Sequence, residues 1–342
     1  MNNFKKILFI GLGGAGQRHL RIFTNLLKDS STKFIAYRHK GKTPLLNEDF
    51  TVNNSESIES KFNIEIFNSF SLALEQKPDL AVISTPSSKH APYIKDCVNN
   101  GINIFVEKPF SNNLDDFDEI SHVIQRKNLI FYTGYQRRFH PLVQKVQELL
   151  YQDHIGKIIS AEFYVKSYLP EWHQYENYRD LFAAKKELGG GVLLTEIHEI
   201  DLCHLFFGKP QYVSCLCGNF FKDDLDVEDT ATLNLLYKNF SASINMCFVQ
   251  KHLKRGFSIS GIYGYIEVDF IENTILIDHY KKGASESKVS IANDELFNIQ
   301  NAAFLSGKIP NSISNLKSVR ETLEIVEAAK LSCKKKYRLN KI

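Results

Sequence analysis

Two alternating hydrophobic patterns organise the first third of the chain. Short, almost wholly apolar runs at Lys6 to Ile10, Phe34 to Tyr37, Leu80 to Ser84, Ile102 to Val106 and Ile130 to Thr133 predict buried strands. Between them, helical spacing appears at Ala15 to Leu27, Ser71 to Gln76, His90 to Asn100 and Asp115 to Arg126. Gly101 closes the third of these, as the residue that turns left-handed at a helix end most easily. Segment 41–65 is polar and rich in Asn and Ser, and predicts a loop with little regular structure. Strands apolar on both faces, alternating with helices, predict a doubly wound parallel sheet covered on both sides.

The pattern changes near residue 134, so the predicted domains are 1–133 and 134–342. One helix, Pro141 to Leu150, precedes strands that alternate apolar and polar positions. These are Lys157 to Val165, Tyr212 to Phe220, Thr230 to Tyr237, Ser241 to Val249, Gly256 to Ile262, Tyr265 to Phe270 and Thr274 to His279. Short turns such as Lys238-Asn239 and Tyr263-Gly264 predict an antiparallel meander. A long helix, Val192 to Phe207, interrupts it and stops at Gly208 with Pro210 just beyond. A last helix, Leu316 to Cys333, ends in Lys334-Lys335-Lys336, cations favoured at a helix C-terminus.

Composition narrows the class. The 342 residues suit about two domains, and 43% hydrophobic with 24% charged residues exclude a mainly disordered chain. A net charge of +3 gives no basic footprint for nucleic acid. Cys97, Cys203, Cys215, Cys217, Cys247 and Cys333 are scattered without zinc-type spacing, so reduced thiols and no metal are expected. Lys5-Lys6 and the apolar run after it resemble a signal peptide only until Gly11, and no run of about 18 apolar residues follows anywhere. A cytoplasmic protein without a membrane segment is the expectation.

The first candidate chemistry is Gly11-Leu12-Gly13-Gly14-Ala15-Gly16, a G-x-G-x-x-G loop between an apolar strand and a helix. Gly11 makes the tight turn, Gly13 lets backbone approach a pyrophosphate, and Gly16 lets helix and strand pack. Gly14 and Ala15 open the helix whose N-terminus attracts phosphate. The second strand ends Tyr37-Arg38-His39-Lys40, without the acid that binds an NAD ribose. Arg38 could hold a 2′-phosphate or stack on adenine, which favours NADP over NAD; a solvent-facing basic loop is the other reading. Val106-Glu107-Lys108-Pro109 puts Lys108 at the carboxyl edge of the sheet, where such folds bind ligand.

These residues resemble the Gfo/Idh/MocA oxidoreductases, named for glucose-fructose oxidoreductase and inositol dehydrogenase. The resemblance runs through Gly11 to His19, Ser84-Thr85-Pro86 with His90, Glu107-Lys108-Pro109, Arg138-Phe139-His140-Pro141, Gly189-Gly190-Gly191 and Ile197-His198-Glu199-Ile200-Asp201. It implies a Rossmann domain, then an α/β domain with a large, mostly antiparallel open sheet that often forms a subunit interface, hence a homo-dimer or tetramer. It implies hydride transfer between NAD(P) and a sugar-type hydroxyl, with Ser84, Thr85, Pro86, His90 and Glu107 on the cofactor side. Lys108, by the same resemblance, contacts the nicotinamide ribose or the reacting hydroxyl.

His198 and Asp201, three apart on the predicted helix, share a face and can converge on a pocket, which makes Asp201 a candidate substrate contact. The family usually carries an Asp three or four residues before this His; here Leu194 and Thr195 stand there, and Glu196 points elsewhere if the helix is continuous. Lys108 and His198 are therefore the proton-handling candidates, with Thr195 left to hydrogen-bond substrate; a core-satisfied histidine is the other reading of His198. Tyr168, Trp172 and Tyr175 offer faces for a sugar ring, and Arg138 and Arg179 would suit an anionic one; a packed surface loop and surface ion pairs are the other readings. The stretch from Ser167 to Gly191 resembles a subgroup associated with surface-polysaccharide sugars, including nine-carbon acids. Two other functions stay open: an NAD-dependent glycosidase, in which hydride leaves and returns, and a non-catalytic cofactor-binding sensor.

Overall fold

The computed structural model describes residues 4–39, 44–173, 175–221, 225–308, 315–335 and 340–341. Lys40 and Lys336 lie outside the described residues. The chain divides into two compact units: residues 1–134, 173–177 and 297–319 in the first, and 135–172, 178–296 and 320–342 in the second.

The first unit runs β1 (Lys6–Ile10), α1 (Gly14–Leu26), β2 (Lys33–Tyr37), β3 (Leu45–Leu46), β4 (Val52–Asn53), α2 (Ile58–Phe62), β5 (Glu65–Phe67), α3 (Phe70–Glu75), β6 (Leu80–Ile83), α4 (His90–Asn99), β7 (Asn103–Glu107), α5 (Phe117–Arg126) and β8 (Phe131–Gly134). Six strands form one all-parallel sheet in the order β5-β2-β1-β6-β7-β8. Its centre is apolar on both faces, as the runs predict: Ile7 to Ile10 and Leu80 to Ile83 are all wholly buried. Strand order reverses between β1 and β6, so the carboxyl ends of these strands flank the crevice where open α/β sheets take ligands.

The described part of segment 41–65, residues 44–65, is more ordered than its polarity suggests. Leu45 and Leu46 are buried and pair as β3 with β4, and the Gln17 side chain bonds Pro44 O and Leu46 N. Ser57 caps α2 by accepting from Ser60 N, and β5 adds an edge strand to the sheet.

The second unit contains α6 (Pro141–Tyr151), β9 (Ile158–Tyr168), α7 (Val192–Thr195), α8 (His198–Phe207), β10 (Tyr212–Gly218), β11 (Thr230–Leu236), β12 (Ser241–Cys247), β13 (Val249–Gly261), β14 (Gly264–Asp269), β15 (Thr274–His279) and β16 (Gly283–Lys288). Helix α9 (Asn293–Ser306) crosses from this unit into the first, and α10 (Leu316–Lys334) and β17 (Asn340–Lys341) follow. Nine strands form one open sheet, β16-β15-β14-β13-β9-β12-β11-β10-β17, in which only β9 and β12 run parallel. Alternation sorts its faces: Phe163 and Phe257 point inward against Phe206 of α8, the first stacked and the second tilted, while Glu162, Tyr164 and Ser258 point the other way. Strand β16 carries Ala284 as its one apolar side chain and is exposed throughout, so its sequence holds no strand signal.

Two expectations are corrected here. The helix predicted from Val192 to Phe207 is broken: Glu196 and Ile197 separate α7 from α8. Cys217 and Cys333 are joined as a disulfide, their Cα atoms 6.1 Å apart, rather than standing as separate reduced thiols. No helix among the described residues is long and apolar enough to cross a membrane.

Candidate active site

In the first unit the glycine loop has the geometry its sequence requires. Gly11 sits at φ +93°, and a Cβ there would lie 3.0 Å from Ser84 O. A Cβ on Gly16 would collide with the Gly11 carbonyl, which explains the close strand–helix approach. Around Gly13 nothing lies within 4 Å of a Cβ. Helix α1 begins at Gly14-Ala15 with no side-chain cap, so its first N–H groups remain for an anion. The Ser84 and Thr85 hydroxyl oxygens are buried without a hydrogen-bond partner, beside Gly11. An uncapped helix N-terminus, an open glycine turn and orphaned hydroxyls together fit a dinucleotide.

Pro86 leads from Thr85 into a short turn ahead of His90. His90 braces two loops: Nδ1 lies 2.7 Å from Pro109 O and Nε2 2.7 Å from Thr85 O. Burial lowers its pKa, against the pull of the two carbonyls and Glu107. Glu107 is buried beneath Lys108. One oxygen meets His19 Nε2 at 2.6 Å and the other accepts from Lys108 N at 3.1 Å, while Asn301 Nδ2 donates to His19 Nδ1 at 3.0 Å. Burial pushes the Glu107 carboxyl up, but the His19 hydrogen bond and neighbouring cations outweigh it and hold the pKa below the usual value. The Asn301–His19–Glu107 chain thus fixes the backbone from which half-buried Lys108 projects.

Arg38 is at the expected strand end, but its guanidinium donates to Glu59 at 2.9 Å. Tyr175, expected among substrate contacts, lies in this first unit beside the glycine loop. A Cβ on Gly14 would lie 2.9 Å from the Phe50 ring and 3.2 Å from the Tyr175 hydroxyl. His173 stacks with both rings, and the Arg18 guanidinium lies 4.6 Å from the Phe50 centroid. Sequence reasoning missed Phe50, since its place by the loop depends on a φ of +63° in a polar segment.

In the second unit, Thr195 and His198 are 5% and 3% exposed, at the end of α7 and the start of α8. The Tyr135 ring stands edge-on to His198, centroids 6.1 Å apart, and its hydroxyl is buried without a hydrogen-bond partner. Burial, helped by Asp201, pushes the Tyr135 pKa well up. Arg138 and Asp201 are 1% and 0% exposed and bind each other, Nε to Oδ2 at 2.8 Å with a second bond from Nη2 to Oδ1. Their charges are spent on one another. Glu196 and Glu199 both accept from Arg255, so Glu196 serves that arginine. Burial raises the Glu199 pKa against the attraction of Arg255.

The aromatic candidates have ring contacts of their own. Tyr168 faces Phe221 and Lys251, and Trp172 stands edge-on to Phe248 at 5.1 Å. Arg179 is exposed over the Tyr178 ring at 4.5 Å.

The parallel sheet with its glycine loop has the form of an NAD-binding Rossmann fold, and an open, mostly antiparallel sheet follows it. The chain belongs to the Gfo/Idh/MocA family. Residues 5–135 match the "Oxidoreductase family, NAD-binding Rossmann fold" and 143–267 the "GFO/IDH/MocA C-terminal domain". "Oxidoreductase P35" of Formosa agariphila is 30% identical over 221 residues, 60% of this chain and 63% of that protein. The "2,7-anhydro-N-acetylneuraminate hydratase" of Mediterraneibacter gnavus is 29% identical over 144 residues, 41% of this chain and 37% of that one. The chain thus spans less than two thirds of the length of these curated relatives. In fold it resembles the WlbA dehydrogenase of Bordetella pertussis in complex with NADH and UDP-GlcNAcA, with a TM-score of 0.79 at 18% identity over 99% of both chains.

Proposed function

We propose that the chain is an NAD(P)-dependent dehydrogenase or reductase acting on a hydroxyl or keto carbon of a sugar derivative. The substrate class is a nucleotide-activated sugar or a nonulosonic-type sugar acid used in surface glycans. What carries the reading is the orphaned Ser84 and Thr85 hydroxyls beside an uncapped, glycine-lined helix N-terminus, with Lys108 fixed nearby through Glu107 and His19. The substrate class rests on the names of two similar proteins, one acting on an anhydro-sialic acid and one solved with a uridine-linked sugar acid.

When bound, the dinucleotide supplies the hydride acceptor or donor. Gly11, Gly13 and the first turn of α1 hold its phosphates, and Ser84, Thr85 and Pro86 line it. Lys108 hydrogen-bonds the reacting oxygen and takes or returns its proton. Loss of hydride from a C–H leaves a carbonyl only if that hydroxyl proton has an acceptor. His198 is the second proton-handling group, and Thr195 orients the substrate hydroxyl. Tyr168, Trp172 and Arg179 hold more distant parts of the substrate. Arg38 gives a preference for NADP. The outward face of the nine-stranded sheet pairs with a second copy of the chain, a proposal that exposed Leu216 and Leu236 support and that a monomer in sedimentation would refute.

The test is a panel of nucleotide sugars and sugar acids read by NAD(P)H absorbance. Lys108→Ala and His198→Ala should each lower turnover by about 10²- to 10⁴-fold with dinucleotide affinity nearly unchanged. Glycosidic cleavage without net absorbance change would identify a glycosidase. Dinucleotide binding with no turnover of any panel member would identify a sensor.

A further inference from the structure

The described residues bring together three thiols that sequence spacing keeps far apart. Cys215 and Cys217 are two apart on β10 and so face the same way. Cys333 lies in the last turn of α10, 116 residues beyond Cys217. One hydrogen bond fixes this end of the helix on the strand, Cys215 N donating to Ser332 Oγ at 3.0 Å, and Cys333 Sγ approaches Cys215 O to 3.3 Å. The three Sγ atoms all lie within 4.8 Å of one another.

We propose that in the reduced chain Cys215, Cys217 and Cys333 form a three-thiolate site for a thiophilic d¹⁰ metal ion such as Zn²⁺. Thiolates around Zn²⁺ at Zn–S near 2.3 Å stand about 3.8 Å apart, so small side-chain movements suffice. Three sulfurs and no imidazole select soft ions over Mg²⁺ or Ca²⁺. Coordination to the cation deprotonates the thiols outright, so binding releases protons. Half-buried Cys217 and Cys333 leave an approach from solvent.

The disulfide and the metal compete for the same two sulfurs. With hydrogen peroxide as oxidant, Cys217 and Cys333 give up two protons and two electrons, forming one S–S bond and two waters. The oxidised chain keeps a single thiol at the site and loses the ion.

The test titrates the fully reduced, full-length protein with Zn²⁺ against a chromogenic chelator, and with Cd²⁺ followed by its thiolate charge-transfer absorbance. One equivalent should bind. Cys217→Ser and Cys333→Ser should each weaken it by more than the roughly 10- to 100-fold that loss of an outer-shell partner costs. Cys215→Ser should weaken it comparably, and Cys247→Ser should not. Circular dichroism and dinucleotide binding verify that each variant is folded. Peroxide treatment should release the ion and reduction should restore the site. Absence of binding by the reduced wild type, binding that survives Cys217→Ser, or equal binding by the oxidised chain would each overturn the proposal.

Discussion

Replacing Asp201 with Ala separates two roles, the substrate contact expected from the sequence and the buried pair with Arg138 that the fold shows. Arg138 and Asp201 are almost wholly buried, and the carboxylate takes two bonds from one guanidinium. The variant strands an arginine charge in the interior of the second unit. Breaking a buried pair in this way costs about 3–5 kcal/mol, against a total stability of roughly 5–15 kcal/mol. At an m-value of about 3 kcal/mol/M, the urea midpoint should fall by about 1–1.7 M. The single tryptophan, Trp172, belongs to the same unit and reports its unfolding by fluorescence. Replacing both partners, Arg138→Met with Asp201→Leu, should recover most of the loss, because apolar isosteres of a buried pair are often neutral or stabilising. A loss under about 1 kcal/mol for Asp201→Ala, with unchanged m-value, would refute the structural assignment. A stable variant that no longer binds substrate would return the pair to the substrate site.

Other outcomes follow from single contacts. His19→Ala removes the main group that keeps buried Glu107 ionised; the Glu107 pKa should rise, and the pH profile of turnover should change shape, whereas a purely structural effect would lower turnover evenly across pH. Glu59→Gln frees Arg38 and should tighten NADP more than NAD in fluorescence titrations; equal effects would remove Arg38 from cofactor choice. Gly13→Val should abolish binding of both, since a side chain would fill the open approach to the phosphates. Burial lowers the His140 pKa from 6.5 to about 4. The unfolded chain therefore takes the proton first, and this part of the stability is full above pH about 6.5 and lost progressively as pH falls towards 4. Urea midpoints from pH 7 to pH 5 should decline less in His140→Gln, and an identical decline would exclude His140 as a source.

Local pattern and backbone chemistry carried much of this protein's design into its sequence. Runs such as Leu80 to Ile83 declare a strand buried on both faces, because an apolar run this short between turn signals is too short for a helix. Gly11 and Gly16 are legible for the same reason: their conformation and close approach exclude a Cβ, whatever surrounds them. The strand end at Lys108 follows from the run before it. The partners of charges and thiols were settled only by tertiary structure. Periodicity tells which way a side chain points, not what meets it: Arg138 finds Asp201 across 63 residues, Glu107 finds His19 across 88, and Glu196 is taken by Arg255 across 59. The break between α7 and α8 belongs with these, since helical spacing from Val192 to Phe207 is uninterrupted in the sequence. Phe50 against Gly14, and Cys333 against Cys215 and Cys217, are likewise long-range meetings. Such contacts depend on how whole elements pack, and no local free-energy preference along the chain encodes them.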